Sequence, residues 1–410
     1  MTTTLEHHPI DHATTVRSDD RPSRRPASAQ SPSQSPQSVT GVLDVQDQHG
    51  FLRVNGYLPS AADLYVPADL IRRHQLRPGD LIEGAAAVAP APGRSGQAAK
   101  AHPLARVDLV NGQAPERGRA RPRFAELTPI HPNERLLLET GPAVASTRAI
   151  DLLAPIGKGQ RGLIVAQPKT GKTLLLQSIA RAVTLNHPEC HLMVVLLDER
   201  PEEVTDMRRS VAGEVISSTF DRPPHEHVAI AELAVERAKR LAEQGTDVVI
   251  LLDSLTRLCR AHNNNAKPGG RTLSGGVDAA SVTRPKQLFG AARNLEEAGS
   301  VTILATALVE TGSRADDYFF EELKSTGNME LRLDRSLADR RVFPAIELAG
   351  SGTRRDELLV SAEELDAVRR LRRVLGAQPA GQATELLLER MKDTGSNAEF
   401  LQQIRHTTTP

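Results

Sequence analysis

Apolar and polar positions change rhythm three times along the chain. Residues 1–40, with SPSQSPQS and repeated Thr, Ser, Pro and Arg, hold almost no aliphatic side chains. Such a stretch cannot bury enough surface to offset the entropy of ordering, so it is expected to be a disordered tail. Residues 41–112 carry short apolar runs between turn residues: GVLDV, GFLRV, ADLYV, DLIEG and LARVDLV. Strands of that length at that spacing predict a small antiparallel OB-like barrel, with the Ala, Gly and Pro-rich stretch 86–102 as a long loop in it. Residues 113–130, containing PERGRARPR, read as a linker.

From 131 to 410 the rhythm alternates. GLIVA (162–166), HLMVVLL (191–197), VVILLD (248–253) and VTILAT (301–306) are continuous apolar runs, the pattern of parallel strands buried on both faces. Between them lie helical periods, such as Val228, Ile230, Leu233, Ala234, Ala238 and Leu241 on one face with Glu232, Glu236, Arg237 and Arg240 elsewhere. Strands alternating with helices predict a doubly wound α/β domain, closed by a few helices in 362–405.

Composition narrows the function classes. Lys plus Arg and Asp plus Glu both total 51, so any basic surface must be local. Cys190 and Cys259 are the two cysteines, far apart and in apolar surroundings, which excludes a disulfide framework and suggests two core residues in a reducing compartment. No apolar run approaches the roughly 18 residues of a membrane span, and the first twenty residues are too polar for a signal peptide, so a cytoplasmic protein without membrane contact is expected. With no Trp, three Tyr and eight Phe, a base-stacking surface has few places to form.

The sharpest motif is AQPKTGKT, 166–173, between a buried strand and a helical run. It is a P-loop with Ala166 at its first glycine position. Loop N–H groups from Gln167, Pro168, Lys169, Thr170 and Gly171 onward lead to a helix start at Lys172, Thr173 and Leu174; of these Pro168 has no N–H to give. That geometry faces phosphate oxygens, Lys172 adds charge at the β and γ phosphates, and the Thr173 hydroxyl suits Mg²⁺, so ATP is the implied ligand. Asp253, ending VVILLD, is a costly acid in an apolar strand unless it holds Mg²⁺ or a cation. In LLDERPEEV, Glu199 is the candidate base that polarises the attacking water, with Asp198, Glu202 and Glu203 as close competitors.

The segments GQRGLIVAQPKTGKT, LLDERPEEVTDM, DVVILLDSLTR, RTLSGGVD, RPKQLFGAARN, TALVETGSR, STGNMELRLDR and RRVFPAIELAGSGTRR together resemble the bacterial Rho family of transcription termination factors, from about residue 127 to 371, with a weaker match over 41–111. The resemblance implies a RecA-like ATPase domain in a homohexameric ring that uses ATP and Mg²⁺ to move along single-stranded RNA in the 5′-to-3′ direction. RNA polymerase and elongation factors are the implied protein partners. Lys169, Lys172 and Thr173 would hold the phosphates and Mg²⁺, Asp253 would be the magnesium carboxylate, Glu199 would activate water, and Arg200 would sense the γ phosphate. Phe343 would stack on adenine, against a plain core-packing alternative, and Arg354 would reach a neighbour's ATP, against an ordinary exposed loop arginine. Two family loops that grip RNA match 267–276 and 311–319, placing Arg271, Thr272 and Arg314 on RNA with Lys324 nearby.

In the barrel the resemblance implies pyrimidine-rich RNA contacts from Phe51, Arg53, Asp63 and Tyr65, although Phe51 and Tyr65 equally suit barrel packing. His49 stands where the family usually has an aromatic, a later aromatic near Ala101 and His102 is absent, and the tail occupies the place of a helical bundle, so altered RNA loading is expected. Ser325 stands where the family usually has Gly, near the pocket of its inhibitor bicyclomycin. A drug-tolerant paralogue, or a ring ATPase of the ATP synthase or export type, are the alternatives.

Overall fold

The structure is a computed structural model that describes residues 37–46, 49–87, 102–115, 121–266, 272–273 and 276–407. The tail reading therefore falls outside the described residues as far as residue 36, and the first strand starts at Ser38, inside the stretch assigned to the tail.

Five strands build the first sheet: β1 (Ser38–Gln46), β2 (His49–Arg53), β3 (Leu64–Val66), β4 (Leu81–Ala86) and β5 (Leu104–Val110), in the order β3-β2-β1-β4-β5. A parallel bridge from Tyr65 to Pro103 brings the two edges together, which removes the open edges that a small sheet would otherwise expose. Leu43, Leu52, Leu64, Val66, Ile82 and Val107 fill the interior. Helix α1 (Ala68–His74) caps the barrel between β3 and β4; its single buried residue, Leu70, gives too weak a period to announce a helix.

The larger sheet follows. Its small early elements are β6 (Pro129–Ile130), β7 (Arg135–Leu136), α2 (Ala145–Leu153) and β8 (Ile156–Gly157). Then come β9 (Arg161–Ala166), α3 (Lys172–Asn186), β10 (His191–Glu199), α4 (Pro201–Ser210), β11 (Glu214–Thr219), α5 (Pro224–Ala242), β12 (Val248–Asp253) and α6 (Leu255–Asn264). After them lie β13 (Thr272–Leu273), β14 (Val277–Asp278), α7 (Ala280–Phe289), β15 (Arg293–Leu295), β16 (Ser300–Leu308), α8 (Arg314–Lys324), β17 (Met329–Leu333), α9 (Arg335–Asp339) and β18 (Ile346–Thr353). Helices α10 (Ala362–Gly376), α11 (Ala380–Lys392) and α12 (Asn397–Thr407) close the chain.

The strand order is β11-β10-β12-β16-β9-β17-β18, parallel as far as β17 and antiparallel at β18. Because successive side chains leave a strand on opposite faces, each apolar run feeds two cores at once. Val194, Leu196, Leu251 and Ile164 enter the core under α2, α3 and the closing helices, while Met193, Val195, Ile250 and Val165 enter the core under α5, α6 and α7. Burial of Arg240 departs from the helical reading, which set it on the polar face of α5; ion pairs to Glu236 and Glu243 offset its desolvation. Cys259 is buried as expected, whereas Cys190 is only half-buried beside Glu189.

The barrel rests on α5 through polar contacts. Gly79 has a φ of +80°, and a Cβ there would lie 2.3 Å from the Glu236 carbonyl carbon, so glycine is what lets the barrel's turn touch the helix. Around it Arg237 donates to Asn111 at 2.6 Å, Arg77 pairs with Glu243 at 2.9 Å, and the Tyr57 hydroxyl donates to Glu214 at 2.8 Å. The stretch read as a linker is partly anchored here: Phe124 is buried, and its N–H donates to Glu243.

Candidate nucleotide site and RNA-facing surface

Strand β9 ends at Ala166 and α3 begins at Lys172, so residues 167–171 form a tight turn at the carboxyl edge of the sheet. Lys169 (φ 67°) and Gly171 (φ 88°) take left-handed backbone conformations, and the Thr170 hydroxyl donates to the Gln167 carbonyl at 2.8 Å to close the loop. A guanidinium from Arg335 holds the Pro168 carbonyl. The first N–H groups of α3 have no acceptor within the helix and carry its positive dipole end, which makes this turn an anion cradle.

Three elements deliver charge to it. Asp253 ends β12 and is 2 % exposed; its Oδ1 accepts from Lys172 Nζ at 2.6 Å and from the Thr306 hydroxyl at 2.8 Å. Glu199 ends β10 and is 4 % exposed, with Oε1 at 3.2 Å from Lys172 Nζ. Burial, and after it the charge of Asp253, holds the Glu199 carboxyl above the usual glutamate range. Of the four competing acids only Glu199 meets Lys172: Glu202 and Glu203 are in the first turn of α4, and Asp198 faces Arg257 at 3.4 Å. Arg257, which the sequence reading passed over, also reaches Glu199 at 3.2 Å.

The arrangement suits Mg²⁺. That ion takes one or two carboxylates together with phosphate oxygens and waters, and needs no closed protein cage. Asp253 and the Thr173 hydroxyl are the residues that could supply such ligands, and among the described residues no group of three or more His, Cys, Asp or Glu could hold a metal alone.

Phe343 is 46 % exposed, which rules out the core-packing alternative. Its ring lies against Gly171, where an added Cβ would come within 3.2 Å of it, and with Val144, Leu174 and Pro344 it lines a cavity of about 300 Å³. The two remaining arginines are not brought to this cradle. Arg200 is exposed, 3.9 Å from Glu203. Arg354 follows β18, whose Thr353 pairs with Met329, itself in register with Gly162. That is four residues before Ala166, roughly 13 Å along the strand.

On the barrel, Phe51 and Tyr65 are cross-strand partners and stand on the outer face, so interior packing is excluded for both. Their rings lie 6.2 Å apart, and His49 joins them at 5.8 Å from each. The imidazole thus occupies a place in the aromatic surface. Arg53 and Asp63 behave differently from the expectation of open RNA contacts: they are 5 % and 4 % exposed and paired at 2.7 Å. Arg53 also binds Asp44, while Asp63 accepts from Ser60 N at 2.9 Å and Ser60 Oγ at 2.8 Å. Arg271 lies outside the described residues, as does the Thr272 side chain, whose backbone is in β13. Arg314 and Lys324 are exposed at opposite ends of α8, about 15 Å apart by helical rise.

Residues 146–352 match the nucleotide-binding domain of the ATP synthase alpha/beta family, and residues 39–116 match the Rho termination factor RNA-binding domain. Transcription termination factor Rho of Streptomyces coelicolor is 59% identical over 408 residues, covering 99% of this chain and 90% of its own. The chain belongs to the Rho family of transcription termination factors. Rho of Streptomyces lividans is 60% identical over 90% of the chain, which spans only 52% of that relative. For Rho of Mycobacterium tuberculosis the identity is 56%, over 91% of this chain and 62% of the relative.

Among solved structures, a type III secretion system ATPase of pathogenic bacteria superimposes with a TM-score of 0.59 at 23% identity, covering 70% of this chain and 88% of its own. The ATP synthase subunit NeqB of Nanoarcheaum equitans does so at 0.57 and 17%, covering 69% and 79%. These likenesses show that a Rho family ATPase domain shares its fold with such ATPases. Among the described residues no helix is long and apolar enough to cross a membrane.

Proposed function

We propose that this chain is an RNA-dependent ATP hydrolase and 5′-to-3′ RNA translocase that binds nascent single-stranded RNA and releases it from RNA polymerase in the cytoplasm. The observation that carries the reading is the convergence of Lys172, Asp253 and Glu199 beside a phosphate-sized turn, in a chain whose barrel presents a cluster of three rings.

ATP phosphates seat against the N–H groups of the turn and of the start of α3, and Lys172 turns its ammonium to the β and γ oxygens. Phe343 stacks on adenine. Thr173 and Asp253 would hold Mg²⁺, which supplies charge neutralisation on the phosphates when bound. Glu199 accepts the proton of a water that attacks the γ phosphorus, the bond to the β–γ bridging oxygen breaks, and ADP and phosphate result. Lys169 adds charge at the loop. A neighbouring subunit supplies Arg354, whose distance from its own cradle supports that shared site, and Arg200, exposed beside Glu203 in the free chain, swings in to sense the γ phosphate once ATP is bound. A head-to-tail contact of this kind closes into a ring, here a homohexamer.

RNA enters at Phe51, His49 and Tyr65, whose faces stack pyrimidines, and passes Arg271, Thr272, Arg314 and Lys324 in the pore. Loading differs from that of relatives with a full aromatic set. The deciding assay measures ATP turnover with and without a cytidine polymer, in the native protein and in Lys172→Ala. The reading expects strong stimulation by RNA and none in the variant. Turnover indifferent to RNA would instead favour an export or synthase type of ring ATPase.

A further inference from the structure

We infer that Arg257 is a positioning residue for the hydrolytic step: it aims the Glu199 carboxylate and stays as its cation once Lys172 has turned to phosphate. The inference rests on Glu199 being the base, as proposed above.

The backbone of Arg257 is fixed first. Ser254 caps α6, its hydroxyl accepting from the Arg257 N–H at 3.2 Å, so the side chain leaves the helix from a pinned first turn. Its guanidinium then bridges two consecutive acids, with Nη1 at 3.4 Å from Asp198 and Nη2 at 3.2 Å from Glu199. In a regular strand neighbouring side chains point to opposite faces, and one cation could not touch both. Here the register between β10 and β11 shifts between Leu197 and Glu199, and Asp198 has a φ of 57°. This bulge turns both carboxyl groups toward one planar fork, re-aiming side chains at a site edge as bulges do.

The surroundings say why that fork matters. Glu199 faces Lys172 from α3, Asp253 from β12, Glu203 from α4 and Arg257 from α6, with Asp198 beside it on its own strand. Lys172 is shared, since its ammonium also lies 2.6 Å from Asp253. Phosphate oxygens compete for the same ammonium. With it withdrawn, the Glu199 carboxylate loses one of the two cations that hold its direction. Arg257 is the remaining opposite charge in contact, and it carries a fork that fixes direction as well as charge.

The test uses the full chain with a saturating cytidine polymer, reading ATP turnover from about pH 5 to pH 9. In Arg257→Gln, kcat falls about 30-fold while KM for ATP changes less than about twofold, and the acid limb of the profile moves up by about one pH unit. Arg257→Lys, which keeps the charge but not the fork, holds the limb in place and restores part of kcat. Asp198→Asn removes a neighbouring negative charge and leaves the whole guanidinium to Glu199, so the limb moves the opposite way, down, by a smaller amount. An acid limb that stays put in both Arg257→Gln and Asp198→Asn, or a KM that rises in step with the fall in kcat, overturns the inference. Full turnover in Glu199→Gln instead overturns the assignment of the base, so the two failures are told apart.

Discussion

The nucleotide cradle and the outer face of the barrel both bury charged side chains, and they use them in opposite ways. In the cradle, one ammonium is divided between two carboxylates on different strands, so each group can change partner when a phosphate arrives. On the barrel, Arg53 is committed to Asp44 and Asp63, and Asp63 is further occupied by Ser60, so these charges brace the wall behind Phe51 and Tyr65. Both cations bridge two acids; what differs is that Lys172 stands beside an open turn, whereas Arg53 is enclosed by the barrel wall. On the proposed reading the ligand-facing work on the barrel falls to the rings, which lose no hydrogen bond by meeting a base.

Four substitutions sharpen that contrast. Asp253→Asn removes the carboxylate that Lys172 and Thr306 share, and RNA-stimulated phosphate release should drop about a thousandfold, with folding unaffected in circular dichroism. Arg53→Ala strands two acids in the barrel wall and should lower its stability by about 3 kcal/mol, read as an earlier first transition in denaturant. Phe51→Ala should leave that transition in place and weaken binding of a cytidine oligomer by about 2 kcal/mol, since a base loses its stacking face. If Arg53→Ala weakens RNA binding more than Phe51→Ala without loss of stability, the division between scaffold and contact surface is wrong. The smallest effect belongs to Phe343→Ala, with KM for ATP raised about tenfold and kcat nearly constant, because in the proposed site the ring stacks on adenine, away from the reacting phosphate.

Much of this was legible in residue order. The apolar runs around Ile164, Val194, Ile250 and Ile303 named the central strands, since strands covered on both faces need no polar alternation. The P-loop was legible because backbone geometry does its work, and Gly171 and the following helix suffice to imply it. Other features carried no such signal. Helix α1 shows one buried residue, and the stretch around Phe124 looked like a linker because its anchors, Glu243 and α5, lie far along the chain.

What the order of residues determined by itself is the pair of domains, the family and the cradle, each written in contiguous segments where local spacing and backbone form act together. Only the tertiary structure decided which of four neighbouring acids meets Lys172, that Arg257 stands behind it, that His49 completes the aromatic surface and that Arg53 is locked inside the wall. Those outcomes depend on which side chains converge from separate strands and helices, and on a single bulge at Asp198 that turns two acids to one cation. Partner choice between groups far apart in the chain is settled by packing, where desolvation and distance select one pairing from several that the residue types would allow.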